Sequence, residues 1–265
     1  MNSISASQFY KYQGTGNDFI MIDDRDTSFP KSDAGYIALL CDRRFGVGAD
    51  GLILLQNDDL SDFKMIYYNA DGNESSMCGN GGRCIVAFAK SLGIIEEQTV
   101  FSAIDGRHEA RITDKEVQLK MIDVKDVKDQ GKYIFLNTGS PHHVQVVKDL
   151  ERMDLKREGA RIRYGLYGKS GCNINFVEQQ STEAFTVRTY ERGVEDETLS
   201  CGTGVTAVAI AMHHRQQTSS NTICIKTHGG ELQVRFRALK NGNYSDIWLI
   251  GPAKFVFQGD LPCYT

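Results

Sequence analysis

The chain has 265 residues, a formal net charge of −4, and 41% hydrophobic and 9% aromatic residues. That length suits one large domain or two ordinary ones, and the composition allows each half to bury a core. Lysine and arginine are not concentrated in any stretch, which gives no electrostatic footprint for nucleic acid or an anionic membrane. Residues 1–6 do not read as a signal peptide and the longest apolar stretch, 205–212, is too short to span a bilayer, so we expect a cytoplasmic protein.

The first half of the sequence predicts short strands with two helices between them. Alternating apolar residues and turn residues predict the strands, and Gly93 marks the end of the second helix. Strands are expected at residues 9–12, 19–22, 51–55, 63–69, 99–102, 108–112 and 116–121, and helices at 33–45 and 79–91.

The second half repeats this plan. Strands are expected near residues 133, 144, 175, 185, 223, 232 and 247, and a helix from 202 to about 215. The helices that begin at Gly79 and Gly202 are apolar nearly all round in part of their length, and such a helix is buried. We therefore predict an α/β (α+β) protein of two pseudo-symmetric domains, each a sheet or barrel wrapped around a central helix. The expected domains are 1–121, joined by a C-terminal strand 257–265, and 122–256.

A cysteine motif occurs once in each half. The sequence Cys-Gly-Asn-Gly begins at Cys78, and Cys-Gly-Thr-Gly begins at Cys201, 123 residues later. Each cysteine comes directly before a predicted buried helix, where the helix dipole lowers a thiol pKa and free backbone N–H groups can hold a carboxylate. Two thiols on opposite faces of one α-carbon could invert it, one removing the proton and the other supplying a new one. The alternative is that both motifs are glycine-bounded helix starts with buried cysteines.

Other motifs carry less information. Seven cysteines, an odd number without a C-x-x-C pair, indicate neither a secreted disulfide framework nor a zinc site, and we expect no metal. The string GVGADG at residues 46–51 matches a dinucleotide fingerprint, but a predicted helix precedes it and a strand follows it. That order is the reverse of the one required, so no nicotinamide cofactor is expected.

Several stretches in order along the chain closely resemble the diaminopimelate epimerase family. They are GTGNDF at 14–19, RFGVGADG at 44–51, YNADGN at 68–73, CGNGGRC at 78–84, GSPH at 139–142, NINF at 173–176, YERG at 190–193 and CGTG at 201–204. The resemblance implies a cofactor-independent epimerase that interconverts LL- and meso-diaminopimelate for lysine and peptidoglycan synthesis. It also implies two α/β domains with the active site in the cleft between them. The expected partners are this small-molecule substrate and a second copy in a homodimer, with no nucleic acid or membrane.

The same resemblance implies roles for individual residues. Cys78 and Cys201 would be the catalytic acid and base, with His142 and Glu191 beside the thiols. The substrate-binding residues would be Asn17, Asn69, Gly79, Asn80, Asn173, Glu191, Arg192, Gly202 and Thr203. Asn17, Asn69 and Asn173 lie beside predicted turns, where asparagine also occurs for local reasons.

Two alternatives remain open from the sequence. A proline racemase or hydroxyproline epimerase also uses paired thiols, but that family has His where this chain has Asn80. A redox-sensing amino-acid-binding protein without turnover is the alternative from another class. The chain departs from the epimerase pattern at Ser140, at Gly51, and in residues 193–197, which form a segment one residue longer than usual.

Overall fold

The computed structural model of the chain describes residues 8–261, and these form two compact units. The first comprises the described residues of Met1–Leu119 and Pro252–Thr265, and the second is Lys120–Gly251. Eighteen strands and four α-helices occur among the described residues, which confirms the mixed α+β class. Cys263 and the last part of the expected strand 257–265 lie outside the described residues.

The first unit contains two helices among its strands. In chain order its elements are β1 (Gln8–Gly14), β2 (Asn17–Asp23), α1 (Ala34–Cys41), β3 (Gly51–Gln56), β4 (Phe63–Asn69), β5 (Glu74–Ser75), α2 (Gly79–Ser91), β6 (Gln98–Ala103), β7 (Gly106–Ile112) and β8 (Val117–Lys120). The unit also contains one strand that follows the second unit along the chain.

The second unit also contains two helices. Its elements are β9 (Lys128–Asp129), β10 (Ile134–Asn137), β11 (Pro141–Val146), α3 (Leu155–Tyr167), β12 (Asn173–Gln179), β13 (Ala184–Glu191), β14 (Asp196–Thr198), α4 (Gly202–His214), β15 (Thr222–Thr227), β16 (Gly230–Ala238) and β17 (Tyr244–Gly251). The chain then returns to the first unit as β18 (Lys254–Asp260).

Strand pairing repeats between the two units. In the first, β1–β2 is an antiparallel hairpin, β2–β3 is parallel, β3–β4 is antiparallel and β4–β6 is parallel. In the second, β10–β11, β11–β12, β12–β13 and β13–β15 follow the same sequence of directions. Because the four pairings match one by one, the sequence repeat around the cysteines is also a repeat of topology.

Each unit buries a helix within its strands, as the apolar sequences predicted. Helix α2 contacts β1, β2, β3 and β7, and α4 contacts β10 to β13 and β15 to β17. Every side chain from Val205 to Met212 is buried. The other helix of each unit covers a separate hydrophobic core. Helix α1 packs against β2 and β3, and α3 packs against β12. Strand β3 is buried at every position because helices cover both of its faces.

Two sequence expectations about helices were wrong. The helix predicted over 33–45 ends at Cys41, because the Asp42 carboxylate accepts the backbone N–H groups of Arg44 at 2.7 Å and Phe45 at 2.8 Å and favours a turn. Helix α3 was not predicted, although Asp154 caps it as Asp33 caps α1.

No helix in the described part of the chain is long and apolar enough to cross a membrane.

Candidate functional site

Cys78 is the N-cap of the buried helix α2. Its backbone is extended, and its sulfur accepts the backbone N–H of Gly81 at 3.1 Å. The thiol is half-buried and lies 3.9 Å from the side-chain oxygen of Asn17. The sulfur is therefore placed where free N–H groups of the first helical turn stabilise negative charge.

Asn17 is held in one orientation by a carboxylate. Its amide nitrogen donates to Asp50 Oδ2 at 2.6 Å, so its oxygen faces the sulfur of Cys78 and the side-chain nitrogen of Asn80, which is 3.4 Å away. Asn80 itself is buried at the start of α2. The structure thus brings Asn17, Asn80 and Cys78 together, and Asp50 fixes which end of the Asn17 amide faces the thiol.

A cluster of charged side chains beside Asn17 stabilises the turn between β1 and β2. Asp18 binds Lys11 at 2.8 Å and Arg43 at 2.6 Å, and Arg43 also binds Asp50 at 2.8 Å. Burial alone would raise the pKa of Asp18, but hydrogen bonds from Arg43 and Lys11 lower it to about 2. The carboxylate therefore stays charged at neutral pH and fixes the strand that carries Asn17.

Asn69 ends β4 at the same edge of the sheet as Asn17. Gly51 is the register partner of both Phe19 in β2 and Asn69 in β4, so the three strands end side by side. A Cβ at Gly51 would lie 2.5 Å from the carbonyl oxygen of Tyr68 and 2.6 Å from the Tyr67 ring. This position therefore has no room for any longer side chain.

In the second unit, Cys201 is the N-cap of α4. Its sulfur lies 3.5 Å from the hydroxyl of Thr203, and the residue is 7% exposed. The Thr138 hydroxyl donates to the carbonyl oxygen of Thr203 at 2.8 Å. This bond connects the turn between β10 and β11 to the start of α4. In the first unit the matched threonine also contacts the start of the buried helix, because the Thr15 hydroxyl donates to the Asn80 side-chain oxygen at 3.4 Å.

His142 is fully buried near the start of β11. The side-chain nitrogen of Asn175 donates to His142 Nδ1 at 3.1 Å and to the backbone oxygen of His143 at 3.0 Å. The Asn175 oxygen accepts the Thr189 hydroxyl at 3.0 Å, which fixes the amide orientation. Because Nδ1 accepts, the proton of the neutral ring belongs on Nε2.

The Nε2 atom of His142 is buried and has no hydrogen-bond partner within residues 8–261. Burial, with the charge of Arg192, lowers the pKa of His142 to about 3. The ring is therefore neutral at physiological pH and presents one unsatisfied N–H donor. Unsatisfied buried donors are rare in proteins and call for an explanation by ligand or function.

Asn173, Glu191 and Arg192 lie at or next to strand ends in the second unit. Asn173 begins β12 beside His142 in β11, and its side-chain oxygen accepts the backbone N–H of Arg192 at 2.8 Å. The Arg192 side chain is exposed and donates to the Ser170 carbonyl at 3.2 Å. Glu191 ends β13, where it accepts the Thr198 hydroxyl at 2.9 Å. Asn173 thus positions the backbone that carries the guanidinium.

No group of three or more His, Cys, Asp or Glu side chains in the described chain is arranged to hold a metal ion. All six described cysteines are free thiols, and Cys41, Cys84 and Cys172 are buried.

The comparisons with known proteins agree along the whole chain. The family model described as diaminopimelate epimerase matches twice, over residues 9–126 and 134–256. The diaminopimelate epimerase of Flavobacterium psychrophilum is 60% identical over 253 residues, covering 95% of this chain and 98% of that protein. The chain belongs to the diaminopimelate epimerase family. The two matches of one family model also coincide with the two topological repeats.

Solved structures share the fold of this epimerase family member at low sequence identity. A phenazine biosynthesis protein of the PhzF family from Bacillus anthracis has a TM-score of 0.78 at 12% identity, covering 97% of this chain and 99% of that one. A hydroxyproline epimerase from Agrobacterium vitis has a TM-score of 0.69 at 14% identity, covering 96% and 92%. At such identities the likeness establishes the two-unit fold alone.

Sequence reasoning gave no individual role to three residues of the epimerase scaffold. Asp50 orients Asn17, Asn175 orients His142, and Arg83 lies buried behind the start of α2. All three stand within the quoted family motifs. Only their position in the sequence could have indicated these roles. Each is a polar residue that lies within three residues of a predicted buried element or of a predicted site residue.

Proposed function

We propose that the protein is a diaminopimelate epimerase that interconverts LL- and meso-2,6-diaminopimelate, with Cys78 and Cys201 as acid and base. The observation that carries this proposal is the matched position of the two thiols. Each caps the buried helix of its own unit, in a chain 60% identical to a relative of that name. Two identical placements of a reactive group suit a reaction that removes a proton from one face and returns one to the other.

The chemistry needs one thiolate and one thiol. The thiolate takes the α-proton and becomes a thiol, and the electron pair left on carbon takes the proton of the second thiol from the opposite face, which leaves a thiolate there. The N–H of Gly81 donates to the Cys78 sulfur and stabilises its negative charge. Backbone N–H groups of Gly79, Asn80, Gly202 and Thr203 are the proposed donors to the reacting carboxylate, because the first turn of a helix leaves its N–H groups unpaired.

The rest of the substrate is assigned to polar side chains at the strand ends. Asn17, Asn69, Asn173 and Glu191 are proposed to hold its amines and Arg192 its distal carboxylate. The exposed guanidinium of Arg192 can bind a carboxylate with two parallel hydrogen bonds.

His142 and Glu191 are proposed to support the thiols. Because His142 is neutral, it acts as a hydrogen-bond donor through Nε2 and does not serve as a general base or a cation. The support for this role is the unsatisfied Nε2–H that Asn175 imposes on the ring.

The deciding experiment supplies purified protein with LL-diaminopimelate and follows formation of the meso epimer. Conversion in both directions is expected, and it should persist after exhaustive dialysis against a chelator because no cofactor is proposed. Cys41→Ser provides a control for thiol loss, since that buried cysteine belongs to the core around α1. Racemisation of proline or hydroxyproline without diaminopimelate turnover would favour the racemase alternative. Amino-acid binding that depends on thiol oxidation, without turnover, would favour a redox-sensing binding protein.

A cytoplasmic homodimer is proposed as the working form. Free thiols at all six described cysteines are consistent with a reducing compartment. Strand β18 exposes Phe255, Val256 and Phe257 to between 44% and 52%, an apolar surface of the kind that protein partners cover. Sedimentation should give twice the mass of the chain for the unsubstituted protein, and Val256→Asp should reduce the measured mass to that of a single chain. A single-chain mass for the unsubstituted protein would refute the dimer.

A further inference from the structure

Arg83 is a fully buried cation at the positive end of a helix. It is the fifth residue of α2, and its side chain turns back toward the helix start. Nη1 donates to the Gly79 carbonyl at 3.2 Å, and Nη2 donates to the Asn80 side chain at 3.0 Å. The guanidinium therefore lies beside the first turn, whose N-cap is Cys78.

Within residues 8–261, the groups that accept hydrogen bonds from this guanidinium are all neutral. Besides Gly79 and Asn80, Nη2 donates to the Thr15 hydroxyl at 3.2 Å and Nε to the Pro252 carbonyl at 3.4 Å. No carboxylate of residues 8–261 forms an ion pair with it, and a buried cation without a counter-charge is costly, here in addition to the unfavourable helix dipole. Burial lowers the pKa of Arg83, though only to about 10, so the charge is present at neutral pH.

The second unit lacks this charge at the matched position. Thr206 follows Arg83 by 123 residues, the same spacing that separates Cys201 from Cys78. The Thr206 hydroxyl donates to the Gly202 carbonyl at 3.0 Å, and Gly202 matches Gly79. The same carbonyl in the two units is therefore contacted by a cation near Cys78 and by a neutral hydroxyl near Cys201.

We propose that Arg83 is a positioning residue that makes the two thiols unequal, holding Cys78 as the resting thiolate of the substrate-free enzyme while Cys201 rests as the thiol. The proposed counter-charge is the Cys78 sulfur, because Cys78 caps the helical turn that the guanidinium contacts. In this proposal the guanidinium and the Gly81 N–H together outweigh the Asn17 oxygen, which lies 3.9 Å from the sulfur. This inference rests on the proposed acid–base roles of the two cysteines and adds the protonation state from which a catalytic cycle begins. Cys78 would then remove the proton from the first substrate bound, and Cys201 would supply the new one.

Other ionisable groups near the start of α2 do not cancel the Arg83 charge. Burial raises the pKa of the adjacent Cys84 thiol to about 12, and burial also raises the pKa of the Tyr12 phenol, so both stay neutral. The carboxylates on neighbouring elements have partners of their own. These are Asp18 with Lys11 and Arg43, Asp50 with Arg43 and Asn17, and Asp105 with His108.

The test measures the ionisation of each thiol in substrate-free protein. Iodoacetamide alkylation is followed at a series of pH values, and peptide mass spectrometry gives separate rate profiles for Cys78 and Cys201. In the unsubstituted protein the Cys78 midpoint is expected at least about 1 pH unit below that of Cys201, the size of effect that a nearby opposite charge produces. Arg83→Gln should raise the Cys78 midpoint by about 1–2 pH units and leave Cys201 unchanged.

Two further variants separate charge from structure. Arg83→Lys keeps the cation and should retain most of the low Cys78 midpoint, whereas a merely structural role predicts that Lys and Gln behave alike. Thr206→Val alters the matched position of the second unit and should leave the Cys78 profile unchanged. Circular dichroism shows which variants are folded.

An unchanged Cys78 midpoint in folded Arg83→Gln would overturn the inference. If neither Arg83 variant folds, the unsubstituted protein decides alone, because a Cys201 midpoint at or below that of Cys78 contradicts the proposal. The titration uses no substrate, so its failure is distinct from a failure to turn over diaminopimelate.

Discussion

The second glycine of each Cys-Gly-x-Gly motif offers the same substitution in two different surroundings. A Cβ at Gly204 would lie 2.5 Å from Asn175 Oδ1 and 3.3 Å from the Cys201 sulfur. A Cβ at Gly81 would lie 3.2 Å from the Cys78 sulfur but would otherwise meet only the ends of flexible apolar side chains. We therefore expect Gly204→Ala to be much more damaging to stability than Gly81→Ala.

The magnitude follows from what can move. At Gly204 the new methyl group must displace a buried amide, which adds about 1–3 kcal/mol of overpacking to about 1–3 kcal/mol for hydrogen bonds of Asn175 left unmade. Replacing glycine by alanine in a helix returns about 0.5–1 kcal/mol. The net loss is about 3 kcal/mol, or about 6–12 °C in Tm for a chain of this size. At Gly81 the contacts are Ile53 Cδ1 at 3.1 Å and Met65 Cε at 3.4 Å, which can shift, so the two effects nearly cancel.

Thermal unfolding by circular dichroism on both variants measures the difference directly, and the epimerisation assay is run alongside. Both variants should lose activity, because each new methyl group lies within 3.3 Å of a sulfur that is proposed to be catalytic. Only Gly204→Ala should lose more than about 5 °C in Tm. A Tm loss for Gly81→Ala equal to or greater than that for Gly204→Ala would refute the role given to Asn175.

Three other predictions follow from the site. Cys78→Ala and Cys201→Ala should each abolish conversion in both directions with unchanged circular dichroism, and near-normal turnover in either would exclude a two-base mechanism. With one epimer in heavy water, deuterium should enter the product before the remaining substrate, whereas equal early labelling of both epimers would contradict separate acid and base. Asp18→Asn should destabilise the protein at pH 7: the pKa of Asp18 is lowered from 3.8 to about 2, so its stabilisation is present above pH 3.8 and lost as pH falls toward 2. A stability deficit in urea unfolding that is the same at pH 7 and pH 2.5 would exclude that linkage.

Much of the fold was predictable because its signals are local. The buried helix 79–91 was predicted to the residue, since a glycine-rich start, an apolar run and Gly93 delimit it. Helix α3 was missed because only Leu155, Gly159, Ile162 and Arg163 are buried along it, and four of its other nine positions are charged. The repeat would have revealed it, because α1 occupies the same place between the matched strands.

The site was less predictable where a role depends on a distant partner. Cysteine position alone identified the two helix caps, but nothing near Asp50 in sequence shows that its carboxylate meets Asn17, 33 residues away. The neutral state of His142 likewise depends on Asn175, which lies on a neighbouring strand. Such contacts arise from parallel strand pairing, which brings together residues that no local pattern connects.

The differences between the repeats are where a duplicated fold becomes an enzyme for an asymmetric substrate. In the proposed mechanism, proton removal and return need equivalent groups. The repeat supplies Cys78 and Cys201, each the N-cap of a buried helix whose first turn is contacted by a threonine. An amino acid with a long second carboxylate-bearing arm is not equivalent on its two sides, so one unit must hold that arm. The exposed guanidinium of Arg192 has alanine, Ala70, at the matched place in the first unit, while the first unit alone buries a cation at Arg83. With the proposed roles, matched cysteines and unmatched cations place binding of the distal carboxylate in one unit and the resting thiolate in the other.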